Sequence, residues 1–136
     1  MTVLEHESVQ GIDGGVDLGD GWALRLGQGS RGRVALEVYA GETLLDVMVE
    51  GALTAELLRG ARRAAPPGGA VLAWGLLPSD GPTPLVRFGR GTAQPVLARI
   101  VAGRFWVALG DASADRVAAA ARAGAPWQEL RVSPVR

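Results

Sequence analysis

Apolar and polar residues alternate along much of the chain, and this two-residue period predicts β-strands with one buried face. The clearest case is residues 34–49, which Ala40-Gly41-Glu42 divides into two halves. Gly41 can adopt the positive φ that a tight hairpin turn requires. A turn at Gly41-Glu42 makes every pair on one face apolar, which specifies the register. The predicted pairs are Val38 with Leu45, Leu36 with Val47, and Val34 with Val49.

Residues 96–109 predict a second hairpin, with its turn at Ala102-Gly103. The other face of this hairpin pairs Arg99 with Trp106, which predicts a cation–π contact. Shorter strands are predicted at residues 22–26, 71–77 and 85–88. The apolar pairs of the second hairpin are Ile100 with Phe105, Ala98 with Val107, and Val96 with Leu109.

A helical spacing replaces this alternation at residues 53–65, so one short helix is predicted near residues 53–64. Pro66-Pro67-Gly68-Gly69 ends that segment. Residues 114–123 contain an alanine run after Ser113, a candidate N-cap, and they also predict a helix. The alternative for that region is a hairpin, with strands at 117–121 and 127–132.

Five short motifs follow one another in the second half of the chain. They are Trp74-Gly75-Leu76-Leu77-Pro78, Val86-Arg87-Phe88, Gly103-Arg104-Phe105-Trp106-Val107, Asp115-Arg116-Val117 and Arg122-Ala123-Gly124. Their order resembles β-rich domains of actinobacterial membrane-anchored and regulatory proteins. The resemblance implies a fold and no activity, and it favours strands over residues 116–132. The chain departs from it in the alanine run at 118–121, and in having neither the Cys pair nor the membrane anchor of many members.

The predicted fold is mainly β, either an antiparallel two-sheet sandwich or an open barrel, with one short helix. The alternative is an α+β fold with a second helix at 114–123. The chain has 136 residues, a length typical of one domain. Residues 1–20 are polar and rich in Gly and Asp, so we expect a flexible N-terminal arm before a single β-rich domain at 21–136.

Composition excludes several kinds of chemistry. The chain has no Cys, no Lys and one His, which excludes thiol catalysis, Cys-ligated metals and lysine-dependent phosphate or Schiff-base sites. Fourteen basic residues balance fourteen acidic ones, so the net charge argues against nucleic-acid binding. No apolar stretch is long enough for a signal or membrane segment. We predict no metal and no cofactor, and a cytoplasmic protein or a soluble fragment of a larger one.

A few residue groups remain as candidates for function. Residues 27–34 spell G-x-G-x-x-G-x-V, but the strand pattern that follows predicts a hairpin loop and not a phosphate site. Glu37 and Asp46 face each other in the predicted first hairpin, with Tyr39 beside them, as in a paired-carboxylate site. The other candidates are Arg59, Arg62 and Arg63 as a basic cluster, and Arg99 with Trp106.

Trp106 projects away from the apolar face of its hairpin, so it belongs either to a second packed layer or to an exposed contact surface. It is the best single candidate for an interface residue. We therefore predict a non-catalytic protein-interaction or regulatory module that binds an unidentified protein partner or forms a homo-oligomer. The alternative is a small ligand-binding protein or enzyme that uses Glu37, Asp46 and nearby arginines in a cleft.

Overall fold

The computed structural model describes residues 15–28, 30–51, 56–64, 69–78, 82–89 and 94–134. Within these ranges the chain forms thirteen short strands and one turn of 3-10 helix at Ser30–Gly32. The predicted mainly β class is confirmed. The strands are β1 (Val16–Gly19), β2 (Trp22–Gln28), β3 (Val34–Ala40), β4 (Thr43–Val49), β5 (Gly60–Arg63), β6 (Val71–Leu76), β7 (Leu85–Phe88), β8 (Val96–Leu97), β9 (Arg99–Val101), β10 (Phe105–Gly110), β11 (Arg116–Ala120), β12 (Gln128–Arg131) and β13 (Ser133–Pro134).

The described strands build three sheets. Sheet A has the order β1-β2-β3-β4, sheet B the order β13-β5-β6-β10-β9, and sheet C the order β12-β11-β7-β8. Neighbouring strands pair antiparallel, apart from the parallel pair β13 and β5. None of these sheets closes into a barrel. The result is a sandwich-like arrangement with three sheets where the sequence predicts two.

Sheet B lies between the other two sheets and is covered on both faces. Along β6, Val71 and Ala73 join the core shared with sheet C, while Leu72 and Trp74 join the core shared with sheet A. A strand with two buried faces consists of a continuous apolar run, which explains why residues 71–74 include no charged side chain. Sheets A and C each keep one outer face, turned away from sheet B.

Two glycine–tryptophan pairs in sheet B set how closely its neighbours approach. Gly60 of β5 faces Trp74 of β6, and a Cβ atom at position 60 would overlap with the Trp74 indole. Gly75 of β6 faces Trp106 of β10, and a Cβ atom there would overlap with the Leu57 carbonyl oxygen and the Trp106 ring. Each glycine therefore gives an indole ring room to lie across the neighbouring strand.

The first hairpin is correctly predicted at its turn and wrongly beyond it. The strands connect through Gly41-Glu42, but Leu45 forms a β-bulge, so Val38 pairs with Asp46 and not with Leu45. Side chains alternate along a strand, and one extra residue therefore exchanges the two faces of everything that follows. The bulge turns Asp46 and Met48 towards sheet B.

The second hairpin is also shifted by one residue. Its loop covers residues 102–104 and is one residue longer than the predicted turn. Trp106 therefore pairs with Ile100 and not with Arg99. Ala102 adopts a φ of 54°, a conformation that alanine takes only where the surrounding structure enforces it. The predicted Arg99–Trp106 cation–π pair is wrong.

The predicted helix at 53–65 is wrong for the residues that the structure describes. Gly60–Arg63 forms the strand β5, and residues 56–59 form an irregular segment before it. Residues 52–55 and 65 lie outside the described residues. The helical spacing of the leucines is misleading here because Leu57 and Leu58 enter the core from the irregular segment and Ala61 enters the same core from β5.

Side chains from the sheets hold the irregular segment in place of a helix. Gln128 Oε1 accepts hydrogen bonds from the backbone N–H groups of Leu57 at 2.8 Å and Leu58 at 3.2 Å. Trp106 Nε1 donates to the Leu57 carbonyl oxygen at 3.1 Å, and the Arg59 backbone N–H donates to the Trp74 carbonyl oxygen. Buried backbone groups need partners, and here distant residues supply them.

The remaining predictions concern the C-terminal hairpin, the glycine-rich loop between β2 and β3, and the N-terminal residues. β11 and β12 pair antiparallel, so the hairpin at the C-terminal end is confirmed and the helix at 114–123 is wrong. The glycine-rich stretch between β2 and β3 joins two antiparallel neighbours, as a hairpin loop does. Val16–Gly19 pairs with β2 as an edge strand, so the predicted arm is wrong for these residues, and residues 1–14 lie outside the described ranges.

Candidate interaction surface

Glu37 and Asp46 lie on opposite faces of sheet A, contrary to the prediction that they face each other. Glu37 pairs with Val47 on the outer face, while Asp46 pairs with Val38 on the face that packs against sheet B. The bulge at Leu45 causes this separation. These two carboxylates therefore do not form a paired acid–base site.

Asp46 joins sheet A to sheet B. Its Oδ2 atom accepts hydrogen bonds from Trp74 Nε1 at 2.8 Å and Arg59 Nε at 2.7 Å, and its Oδ1 atom accepts one from Arg59 Nη2 at 2.9 Å. Burial opposes ionisation, but the hydrogen bonds from Arg59 and Trp74 outweigh it and hold the pKa of Asp46 below its ordinary value. Asp46 is an ionised structural anchor and is poorly suited to proton transfer at neutral pH.

Glu37 and Tyr39 form a small polar group on the outer face of sheet A. The Tyr39 hydroxyl donates to Glu37 Oε1 at 2.8 Å, and Arg25 Nε lies 4.0 Å from the same oxygen. The hydrogen bond to the Glu37 carboxylate raises the pKa of Tyr39. A phenol with a raised pKa stays protonated at neutral pH, so Tyr39 is not an activated base or nucleophile.

The arginines predicted to form a basic cluster, Arg59, Arg62 and Arg63, do not form one patch. Arg59 belongs to the Asp46 anchor, and Arg62 and Arg63 are successive strand residues that point to opposite faces. Arg63 donates from Nε to the Ala112 carbonyl oxygen at 2.9 Å and from Nη2 to the Ala114 carbonyl oxygen at 2.6 Å. Arg63 therefore ties sheet B to the loop before β11.

Trp106 and Arg99 do not contact each other as predicted. Trp106 is fully buried in the core between sheets B and C. Of the two predicted alternatives, a packed layer or an exposed contact surface, the packed layer is therefore correct, and Trp106 is no longer a candidate interface residue. Arg99 is exposed on the edge strand β9. The contact predicted between Arg99 and Trp106 is therefore wrong, because Trp106 is buried and Arg99 is exposed.

A cation–aromatic pair, with an exposed ring and a half-buried guanidinium, occupies the outer face of sheet C instead. The Arg87 guanidinium carbon lies 4.3 Å from the centre of the Trp127 ring, and the Trp127 side chain is 39% exposed. Such a stack contributes roughly 0.5–1 kcal/mol at an exposed site. The buried Nε atom of Arg87 has no hydrogen-bond partner, so the indole face and not an acceptor holds this atom in place.

Small residues of β11 make the stack possible. Arg87 lies on β7 and Trp127 directly precedes β12, and both strands flank β11. Their contact must therefore pass over β11, whose outward residues at this level are Ala118 and Ala120. Both alanines are only 1% exposed and belong to neither apolar core. The alanine run thus forms the floor beneath longer side chains.

Arginines and an exposed leucine surround this floor. Arg116 Nη1 donates to Glu129 Oε1 at 3.0 Å across β11 and β12, and Arg131 pairs with Arg116 in the same register row. Leu97 of the edge strand β8 pairs with Leu85 on the same face and is 68% exposed. We call the outer-face residues Leu85, Arg87, Leu97, Arg116, Ala118, Ala120, Trp127, Glu129 and Arg131 the sheet C surface.

A wide concavity opens at one end of sheet A, and its lining includes Arg25 and Tyr39 of the outer face together with Trp22 and Leu24 of the inner face. It has a volume of about 660 Å³ and lies beside the turns that precede β2 and β4. Carboxylates outnumber basic groups in its lining. Its charged and aromatic lining residues are Asp17, Asp20, Trp22, Arg25, Tyr39 and Glu42; we call it the sheet A concavity.

The sequence pattern does not single out either residue of the stack. Trp127 lies in a segment for which the pattern predicts either helix or strand, and Arg87 belongs to one of the five short motifs. The signal available was a single tryptophan next to Pro126, just before a strand of alternating charged and partly buried residues. Only the packing of β7, β11 and β12 shows that Arg87 reaches it.

No family model matches this chain, and comparisons with curated proteins and with solved structures also find no similar protein. In the described ranges, no group of three His, Asp or Glu side chains is arranged to bind a metal ion. The same part of the chain contains no helix with the length and apolar character needed to cross a bilayer. A functional proposal for this chain therefore depends on its own surface geometry.

Proposed function

We propose that this chain is a non-catalytic protein-interaction module and that the sheet C surface is where its partner binds. The Arg87–Trp127 stack is the observation that carries the proposal. Trp and Arg are enriched among the residues that dominate binding energy at protein interfaces. Here the two are already held against each other, so little side-chain freedom remains to be lost on binding.

The energetic gain from covering Trp127 is sizeable. A tryptophan side chain buries 150–250 Å² when it is fully enclosed, and 39% of the Trp127 surface is exposed. Covering this part contributes roughly 2 kcal/mol at ~25 cal/mol per Å² of apolar area. Leu97 adds further apolar surface on the same face, and Arg131 and Arg116 supply a polar rim of the kind that surrounds interface cores.

The carboxylates of sheet A support a binding role over a catalytic one. Asp46 is engaged by Arg59 and Trp74, and Glu37 is engaged by Tyr39 on the opposite face. A general acid or base needs a pKa near the working pH and a neighbouring reactive group. Asp46 has its pKa lowered away from neutrality, so it does not meet the first requirement.

Substitution of Trp127 by alanine is expected to abolish partner binding while leaving the fold intact. The immobilised chain is incubated with a lysate of the cells that produce it, and bound proteins are quantified by mass spectrometry. We expect at least about tenfold less of a specific partner with Trp127→Ala, because about 1.4 kcal/mol corresponds to a factor of ten.

Leu109→Ala is the matched control, because Leu109 is 40% exposed at the end of β10 but lies outside the sheet C surface. It is expected to retain the same partner at the wild-type level. Equal retention by wild type, Trp127→Ala and Leu109→Ala would refute the proposal. Thermal unfolding of both variants confirms that they remain folded at the temperature of the assay.

A further inference from the structure

We infer that the partner is a second copy of this chain, and that the Arg87–Trp127 stack of one copy docks into the sheet A concavity of the next. This inference rests on the proposed function, because it takes the sheet C surface as the contact surface. It adds the identity of the partner and the surface that the partner presents.

The three-layer architecture places the outer faces of sheets A and C on opposite sides of one molecule. Sheets A and C pack on opposite faces of sheet B, so the outer face of sheet C and the outer face of sheet A point in opposite directions. A second copy can therefore approach either side without blocking the other. This is the arrangement required for head-to-tail association, in which two different patches of the same chain meet.

The charges of the two surfaces are complementary. The sheet C surface carries the cations Arg87, Arg116 and Arg131 against the single anion Glu129. The sheet A concavity carries the anions Asp17, Asp20 and Glu42 against the single cation Arg25. The two surfaces therefore carry opposite net charges, although the chain as a whole has none. Opposite charges attract across such an interface and suppress like-face contacts.

The shape of the concavity agrees with the charges. The concavity of about 660 Å³ falls within the range that holds drug-sized molecules, which exceed an indole and a guanidinium in size. Carboxylates are the strongest acceptors that a guanidinium finds in proteins, and the concavity of the second copy offers three to the arginines of the sheet C surface.

Exposed apolar side chains border the charged groups on both surfaces. Leu44 and Val47 are exposed on β4, and their strand partners Tyr39 and Glu37 place them on the outer face of sheet A. Leu97 takes the corresponding position on sheet C. Outer faces of four short strands are small compared with stable protein interfaces, which bury about 800 Å² per partner. The association is therefore expected to be weak, reversible and dependent on concentration.

Sedimentation equilibrium of wild type and two complementary variants tests the inference. Wild type is expected to self-associate as its concentration rises from about 10 µM to about 1 mM. Raising the salt from about 0.02 M to about 0.5 M is expected to weaken this association at least tenfold, because the contact is electrostatic. Trp127→Ala and the double variant D20N/E42R are each expected to remain monomeric, since each removes one of the two surfaces.

An equimolar mixture of the two variants is the decisive sample. It contains one intact sheet A concavity, on Trp127→Ala, and one intact sheet C surface, on the double variant. A 1:1 heterodimer that does not grow further is expected. Leu97→Glu provides a second sheet C variant with the same expected behaviour, should Trp127→Ala fold poorly, and Leu109→Ala is expected to self-associate like wild type.

The outcomes separate this inference from the proposed function. Wild type that stays monomeric throughout, or a mixture that forms no heterodimer, overturns the inference. If Trp127 still determines capture of a different protein from the lysate, the proposed function stands with another partner. If Trp127→Ala changes neither self-association nor capture, both the inference and the proposed function are refuted.

Discussion

Replacing Gly75 by alanine is expected to lower the free energy of unfolding by about 3 kcal/mol, the upper range for overpacking a core. The added Cβ atom would overlap with the Leu57 carbonyl oxygen and lie 2.7 Å from Trp106 Nε1. Neither group can move freely, because Trp106 is fully buried and its Nε1 donates to that same carbonyl oxygen. Either this hydrogen bond breaks or the segment before β5 shifts away from sheet B. Urea unfolding followed by tryptophan fluorescence measures the loss.

Gly27→Ala is the matched control for this substitution. Gly27 also lies within a strand, β2, but a Cβ atom there would meet only Glu37 Oε2 at 3.4 Å. The Glu37 side chain is flexible and can move aside. The free energy of unfolding is expected to change by no more than about 0.5 kcal/mol. A similar loss for Gly27→Ala and Gly75→Ala would contradict the close approach of Gly75, Trp106 and Leu57.

Asp46→Ala is expected to destabilise the chain by about 2 kcal/mol. The substitution leaves Trp74 Nε1 without its acceptor at the boundary of sheets A and B, and hydrogen bonds to charged groups contribute about 1.5–3 kcal/mol. The ion pair with Arg59 adds little to this value, because the Arg59 side chain is 42% exposed and exposed pairs are screened by solvent. Glu37→Gln, on the outer face of the same sheet, is expected to cost less than about 0.5 kcal/mol.

Asp46 is also expected to make the free energy of unfolding depend on pH. The pKa of Asp46 is lower in the folded chain than its ordinary value, so its contribution to stability is complete above pH ~4. That contribution is lost as the pH falls through the folded-state pKa, because the unfolded chain then binds a proton more readily. Asp46→Asn is therefore expected to lose part of the acid dependence that wild type shows below pH ~4. An unchanged acid dependence in Asp46→Asn, or equal stability of Asp46→Ala and Glu37→Gln, would contradict the anchor.

Local alternation in the sequence was enough to predict the strand class, and tertiary contacts decided the details it missed. The turn at Gly41-Glu42 follows from local backbone chemistry and was correct. The bulge at Leu45 was not foreseeable from alternation, because an apolar Leu45 fits either face. The contacts that accompany the bulge come from elsewhere in the chain. The bulge turns Asp46 towards Arg59 and Trp74, and both donate hydrogen bonds to its carboxylate on the inner face.

The helix near residues 53–64 failed for the same kind of reason. Leucines at helical spacing predict a helix when no other partners satisfy the backbone. Gln128 Oε1, more than seventy positions away along the chain, accepts the N–H group of Leu57, and Gly60 leaves room for Trp74 on the next strand. Such distant partners override local propensity, and a single sequence does not reveal them.

The candidate surface shows this limit most clearly. Trp127 and Arg87 are forty residues apart in sequence, and β11 lies between their strands. Their contact requires small side chains on the outer face of β11, which Ala118 and Ala120 provide. In the sequence, the alanine run is typical of a helix. In the folded chain the alanines are the reason that a cation and an aromatic ring meet across a strand.

Site-specific photo-crosslinking tests whether the sheet C surface contacts another protein in the cell. A photoreactive amino acid replaces Leu97, which is 68% exposed beside the stack, or Leu109 as the control position, in cells that make the protein. A protein adduct is expected from position 97, and it is expected to be absent from position 109 and lost with Trp127→Ala. An adduct at twice the 14.1 kDa mass of the chain would identify a second copy, and another mass a different partner. Absence of any adduct specific to position 97 would contradict the claim that this face binds a protein.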